Sequence, residues 1–437
     1  MRILHVPYSF YPDPPGGTEI YVDSLATWQR ELGVEAGIAA PGKENTRYEH
    51  AGTPVWRFAA ASDVSLPELY GEGEPAAARQ FGRILDEFRP DVAHLHAMTS
   101  AISVRLADEA MARRVRTVFN YHTPTVSCAR GTLERYGTQI CDGKLDARTC
   151  SVCTLMAQGI SQSAASAIER ISPLAGSVTA AMGLSGGVWT ALRMPRLVTL
   201  RIGKFHEMMR KVDRVVALCS WTRRLLLDNG IPEAKLRMCR QGITWEPENN
   251  PCEHRRNNPL RFAFLGRFDR TKGTDLIVRA LRKTDLPLEL DLYGVRQGDA
   301  GDRYAEEVRQ LIGSDRRIRL LPPLPRADVI PALRAYDALV VPSQWLETGP
   351  LVVLEAFAAR TPVIGSDLGG IAELVTGGKD GLLVSPYSSV DAWAAAFQKV
   401  CAEPALLDRW RENIRPPRHA RQVALDFMPI YEELVGR

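Results

Sequence analysis

Glu347 and Glu355 close the stretch richest in chemistry, VPSQWLETGPLVVLE over residues 341–355. Pro350 suits the first position of a helix, which makes Gly349 the expected cap. Free amides at such a helix start favour an anion, phosphate above all. Two carboxylates beside an anion site would repel it. They are better placed to accept hydrogen bonds from sugar hydroxyls, Glu347 from the loop and Glu355 from the helix. On spacing alone a cap-region glutamate and an exposed helical glutamate fit equally well. A second pair balances the first: Arg267 ends an apolar run, and Lys272-Gly273 follows just before another helix. Cations at the mouth of a sheet suit a diphosphate, although two solvated side chains on a loop would read the same.

Cys128, Cys141, Cys150 and Cys153 give C-x12-C-x8-C-x2-C, four of eight cysteines within 26 residues. Two thiolates separated by two residues reach one tetrahedral ion, and the upstream pair completes a four-thiolate set. Structural zinc is the expectation. An iron–sulfur cluster, free thiols and a disulfide are the other readings. His94 and His96, two apart on a strand, point to one face, yet no third metal ligand is legible nearby.

These residues need elements to position them. Ile3–Val6, 34–39, 55–58, 91–95 and 116–120 read as strands alternating with helices, and Thr18 is the expected cap of the first helix. The alternation lapses over about 125–210 and resumes at 214–218. Residues 245–259, WEPENNPCEHRRNNP, are polar and aperiodic, a linker. A second strand–helix series runs from 260 to about 410. Such alternation builds parallel, doubly wound α/β sheets, whose ligands sit beyond the strands' carboxyl ends. The expected organisation is an N-terminal Rossmann-like domain over 1–244 with a helical and loop insertion at about 125–210, the linker 245–259, and a second Rossmann-like domain over 260–410. A C-terminal helix over 411–437 is expected to cross back to the first domain.

The 437 residues carry 55 Lys and Arg against 51 Asp and Glu, a net charge of +4 that gives no footprint for nucleic acid. Hydrophobic residues at 45% exclude wholesale disorder, and eight cysteines are too few for a disulfide scaffold. The N-terminus lacks the apolar core of a secretory signal, so a cytoplasmic protein is expected. Ile171 to Leu192 carries no charge but holds Pro173 and several glycines. It reads as spanning a bilayer, lying on one, or packing within the protein. With Arg193, Arg196, Arg201, Lys204, Arg210 and Lys211 after it, peripheral contact with the inner membrane surface is a candidate.

Taken together, the motifs resemble the retaining, nucleotide-sugar-dependent glycosyltransferases of family 4, of GT-B fold. The matching pieces are PDPPGGTE (12–19), DVAHLH (91–96), NYH (120–122) and SWT (220–222), then Gly266-Arg267 with Lys272-Gly273, Glu347-x7-Glu355, PVI (362–364) and Gly369-Gly370-x2-Glu373. The resemblance implies two Rossmann-like domains facing across a cleft. It implies that Arg267 and Lys272 hold the donor diphosphate, Glu355 the ribose and Glu347 the donor sugar. Thr348, Gly349, Pro350 and Leu351 would complete the phosphate site, Gly16 and Gly17 would admit backbone to the donor, and His122 would face the reacting centre. It further implies a UDP- or GDP-sugar donor, a carbohydrate or lipid-linked acceptor such as a growing polysaccharide, and no metal or other cofactor for catalysis. An epimerase or hydrolase of the same fold and a silent sugar-nucleotide-binding protein are the alternatives. The chain departs from the family pattern at Gln241-Gly242, Thr348-Gly349 and His122-Thr123, which bears on donor orientation more than on charge.

Overall fold

The computed structural model describes the chain except residues 15, 137–138, 182–185, 246–254 and 437, with backbone alone over 173–181. It divides into two compact units, Met1–Arg240 with Ala420–Arg437, and Gln241–His419.

Unit 1 is built on β1 (Arg2–Val6), β2 (Glu35–Gly42), β3 (Thr46–His50), β4 (Thr53–Ala59), β5 (Val92–Leu95), β6 (Arg116–Tyr121), a small hairpin of β7 (Glu134–Arg135) and β8 (Gln139–Ile140), β9 (Arg214–Ala217) and β10 (Leu236–Met238). The described strands of the large sheet run β10-β9-β6-β5-β1-β2-β4-β3, parallel except for β3 on β4. Near-continuous apolar runs in β1, β5 and β9 are what a sheet covered on both faces requires. One face packs Tyr21, Val22 and Leu25 of the helix Gly17–Glu31 together with Val423, Phe427 and Tyr431 of the helix Ala420–Val435.

The stretch 125–210 belongs to unit 1. After the hairpin come helices Ala147–Ala157, Gln162–Ala181 and Gly187–Lys211, with a small core of Val152, Leu155, Ala165, Ala191, Met194 and Val198. Buried Arg201 donates to the Thr125 carbonyl, and Asn229 bridges Gly143 O and Leu145 N, so the insertion is tied to its own unit. Three expected surface cations are thereby changed in role: Arg201 is buried, and Lys204 and Lys211 both pair with Glu207. Part of Ile171–Leu192 lies outside the described residues. No helix among those described is long and apolar enough to cross a membrane.

Unit 2 holds β11 (Leu260–Arg267), β12 (Leu288–Val295), β13 (Ile318–Leu321), β14 (Ala338–Val341), β15 (Val363–Ser366) and β16 (Gly381–Val384), all parallel in the order β13-β12-β11-β14-β15-β16. Its helices cover both faces, one around Phe262, Trp393 and Phe397 and the other around Leu339, Val353 and Phe357.

The unit boundaries differ from the expected 244/245 and 410/411. Gln241 and Ile243 go with unit 2 because Ile243 bridges to His419 and its N–H bonds the Arg418 carbonyl. Trp410 and Ile414 go with it because both are buried in its cores. Most of the expected linker, 246–254, lies outside the described residues. The expected caps also move. Gly16, not Thr18, caps the first helix and donates its N–H to Glu19 at 2.8 Å. Pro350, not Gly349, is the cap of Leu351–Ala358, because its ψ of 118° is still extended.

Candidate active site

In unit 2 the loops after β11 and β14 are clamped together. Gln344 donates its backbone N–H to Thr271 O at 2.7 Å. Gly273 makes this possible, since its φ is +68° and a Cβ there would stand 2.2 Å from the Pro342 carbonyl. The clamp brings Lys272 Nζ to 2.5 Å from Glu347 Oε1, which also accepts from Ser343 at 2.9 Å. Trp345 lies 5.4 Å beneath the ammonium. Gly370 fixes Glu347 from the other side, donating its N–H to the Glu347 carbonyl at 2.7 Å. Burial works against ionisation of Glu347, yet the Lys272 charge and the bonds from Lys272 and Ser343 hold its carboxyl below the ordinary range. Glu355 differs. Burial raises its pKa, only partly opposed by Arg326 at 3.4 Å. Arg267, at the exposed end of β11, reaches Gln297 Oε1 at 3.3 Å. Thr348 is buried, and Gly349, Pro350 and Leu351 are half-buried at the start of their helix.

The structure thus brings Lys272 and Glu347 into direct contact, a pairing that spacing alone did not reveal. Ser343, Trp345 and Arg326 are additions. The loop sequence offered a signal for the first two, since both sit between Val341 and Glu347.

In unit 1, His122 ends β6 and is buried among other imidazoles. Its Nε2 is 3.0 Å from His96 Nδ1, and His96 Nε2 is 3.1 Å from His5 Nδ1. His5 Nε2 meets Gln29 Oε1 at 2.8 Å, and Gln29 Nε2 donates to Tyr431 Oη at 3.2 Å. Tyr431 Oη in turn lies 2.7 Å from His94 Nδ1. Burial lowers the pKa of His5 to about 4 and of His122 to about 3, and holds His94 and His96 well below the ordinary value, so all four are neutral near pH 7. His5 is the third member that the sequence did not offer. Its only mark there is a polar side chain inside the apolar run Ile3–Val6. Gly16 and Gly17 open the helix Gly17–Glu31, and a Cβ on Gly16 would stand 2.9 Å from Glu19 Oε2.

The four clustered cysteines come from the loop before the hairpin (Cys128), its exit (Cys141) and the helix Ala147–Ala157 (Cys150, Cys153). All are free thiols. The Cys150 thiol is pushed up to about 11, chiefly by burial. Cys141 Sγ accepts the Gly143 N–H at 3.4 Å and Cys153 Sγ the Tyr136 N–H at 3.2 Å. Among the described residues, the ligand atoms that gather within 4.8 Å of one another are those of His5, His94 and His96, and no three of the sulfurs do so.

Comparison with known proteins bears on both units. Residues 16–171 match the family described as Glycosyl transferase 4-like domain, and residues 247–416 match Glycosyl transferases group 1. The first matched stretch spans His94, His96, His122 and the four cysteines, and the second spans Arg267, Lys272, Glu347 and Glu355. Among curated relatives, D-inositol 3-phosphate glycosyltransferase of Corynebacterium jeikeium is 36% identical over 184 residues, 39% of this chain and 43% of that protein. The Corynebacterium aurimucosum protein of the same name is 35% identical over 145 residues, 32% of this chain and 34% of the relative. The chain therefore spans less than half the length of these relatives. Among solved structures, sucrose-phosphate synthase from Thermosynechococcus elongatus aligns over 100% of this chain and 99% of its own, with a TM-score of 0.68 and 19% identity. Anabaena HepE in complex with UDP and glucose aligns over 100% of both chains, with a TM-score of 0.62 and 17% identity. The fold of the chain is accordingly the two-domain α/β fold that these structures share, known as GT-B.

Proposed function

We propose that the protein is a retaining hexosyltransferase that moves a sugar from a UDP- or GDP-sugar to an acceptor hydroxyl. The observation that carries this reading is the Lys272–Glu347 pair, fixed by two clamped loops at the carboxyl ends of parallel strands. Binding of UDP and glucose by HepE, a neighbour in fold, supports the donor class. Lys272 and Arg267 would hold the diphosphate and stabilise charge as the bond from the anomeric carbon to the leaving oxygen breaks. The acceptor oxygen forms the new bond to that carbon on the same face, and its proton passes to the departing phosphate. Glu347, ionised and anchored, accepts from donor-sugar hydroxyls. Glu355 accepts from the ribose. Catalysis itself rests on these side chains without a metal.

The test is release of nucleotide across a panel of UDP- and GDP-sugars, with and without carbohydrate and lipid-linked acceptors. Acceptor-dependent release supports transfer. Release without acceptor identifies a hydrolase, and binding without turnover a silent domain.

Two further parts belong to this reading. Cys128, Cys141, Cys150 and Cys153 hold a structural zinc ion, supported by the Cys150-x2-Cys153 spacing and the backbone N–H groups aimed at two of the sulfurs. The protein works in the cytoplasm at the inner membrane surface, supported by Val188 and Trp189, 71% and 43% exposed, just before Arg193 and Arg196. Flotation with anionic liposomes tests this. Wild type and Trp189→Ser both remaining in the soluble fraction would refute it.

A further inference from the structure

The buried imidazoles of unit 1 are joined in one direction. A neutral imidazole carries one N–H, so each contact in the chain dictates the next. Gln29 Oε1 can only accept, which makes His5 an Nε2–H donor with Nδ1 as acceptor. His96 must then donate from Nε2 and accept at Nδ1, and His122 must donate from Nε2. In the other direction, Gln29 Nε2 donates to Tyr431 Oη, whose hydroxyl proton goes to His94 Nδ1. His94 is left with an N–H at Nε2. That atom and Asn120 Oδ1 are the two polar atoms of the cluster that find no partner at bonding distance. They answer each other chemically, as donor and acceptor, and Asn120 favours the charged form of His94, as an amide oxygen facing a ring N–H does. Asn120 Nδ2 stands 3.4 Å from both Tyr21 Oη and His122 Nε2, and the shorter contact of His122 Nε2, 3.0 Å to His96 Nδ1, takes the His122 proton.

We propose that His122, His96, His5, Gln29, Tyr431 and His94 form a single one-way hydrogen-bond chain in which Gln29 is a positioning residue that sets the tautomer of His122, leaving Nδ1 as its acceptor nitrogen. The influence of Gln29 crosses two imidazoles before it reaches His122. No residue of the chain can reverse alone, because one reversed ring would set two N–H groups, or two lone pairs, against each other on each side. A metal ion among His5, His94 and His96 is the competing use of the same atoms. It would place two positive charges in a core against the rings of Phe427 and Tyr431. The hydrogen-bonded chain satisfies the same nitrogens at no such cost. The bearing on turnover rests on the glycosyltransferase reading above, whereas the tautomer pattern does not.

The test is nitrogen-15 spectroscopy of the full chain labelled in histidine, in which Nε2–H and Nδ1–H tautomers and imidazolium have separate shifts. His5, His96 and His122 are expected as Nε2–H near pH 7. Gln29→Met keeps the size and removes the acceptor, so the single Nε2–H signal of His122 should be lost. Gln29→Glu keeps the acceptor and should restore it. With an acceptor-dependent assay in hand, kcat of Gln29→Met should fall roughly 10-fold to 100-fold with KM for donor little changed, and Gln29→Glu should recover part of it. An Nδ1–H or imidazolium His122 in the wild type overturns the proposal, even where neither variant folds. So does a His122 signal indifferent to Gln29→Met, or stoichiometric metal lost on His5→Gln. A His122 that changes tautomer without change in kcat overturns the positioning role. Absence of transfer by the wild type refutes the functional reading instead and leaves the spectroscopic result standing.

Discussion

Lys272 Nζ and Glu347 Oε1 meet at 2.5 Å with their side chains only 19% and 11% exposed, and each stands on a loop at the end of a different strand. Two charges held this far from water stabilise the fold only as a pair.

Lys272→Ala should therefore cost about 3–5 kcal/mol near pH 8, because it strands a buried carboxylate. In the wild type Lys272 keeps the Glu347 pKa low, so the pair's contribution is present above the ordinary carboxylate pKa and is lost as pH falls through the lowered one. In the variant the sign reverses. Burial now acts unopposed, the carboxyl pKa rises, and the deficit shrinks as pH falls. Denaturant melts of both proteins from pH 8 to pH 4 check this, and a deficit independent of pH would refute it.

Glu355→Gln separates binding from stability. The Glu355 pKa is raised by burial, so its ionisation opposes folding progressively as pH rises past the ordinary carboxylate value. The neutral amide should leave stability at pH 7 unchanged or improved. Donor affinity should nevertheless fall at least about tenfold, the scale of one lost charge-assisted hydrogen bond. Thermal shift with UDP and GDP, read beside the melting temperature of the free protein, distinguishes the two effects.

The last helix should prove essential to the first unit. Phe427→Ala removes a fully buried ring from the unit 1 core and should cost about 3–5 kcal/mol. Tyr431→Phe keeps the packing but strips the partner from Gln29 and His94, for about 1–3 kcal/mol. Limited proteolysis of either variant should cut first within 1–240. Cleavage confined to 241–419 would show the assignment to be wrong.

The cysteine site predicts close to one zinc per chain by elemental analysis. A strong chelator, or Cys150→Ser, should remove the metal, lower the melting temperature and expose the segment 128–153 to protease. Unchanged stability with metal-free protein would refute the site. Cys219, buried in another part of unit 1, serves as a control, since Cys219→Ala should leave metal content as it was.

Much of this architecture is legible in the chain. The apolar runs at Ile3–Val6, 91–95 and 338–341 declare buried parallel strands because both of their faces are covered. Strands β3 and β13 escape that signal. TRYEH lies on an edge with exposed side chains, and IRLL buries little beyond Ile318. The helix Gly187–Lys211 also escapes it, because Pro195 and scattered arginines blur its period. At the site, residue types point to Lys272, Glu347 and Glu355 separately. Their partners were hidden because contacts across 75 residues, as for Lys272 and Glu347, or 402, as for Gln29 and Tyr431, are fixed by topology and not by local sequence. The unit boundaries were misplaced for the same reason, since a β-bridge from Ile243 to His419 leaves no mark at either position.

Residues 420–437 complete a unit that begins at Met1, with all of 241–419 between them. During synthesis, therefore, the first unit to leave the ribosome is the last to be finished. Its sheet must wait, with the face meant for Phe427 and Tyr431 uncovered, while the second unit is translated and folds. A premature stop before Ala420 would spare residues 241–419 and leave the unit begun earlier without its last helix.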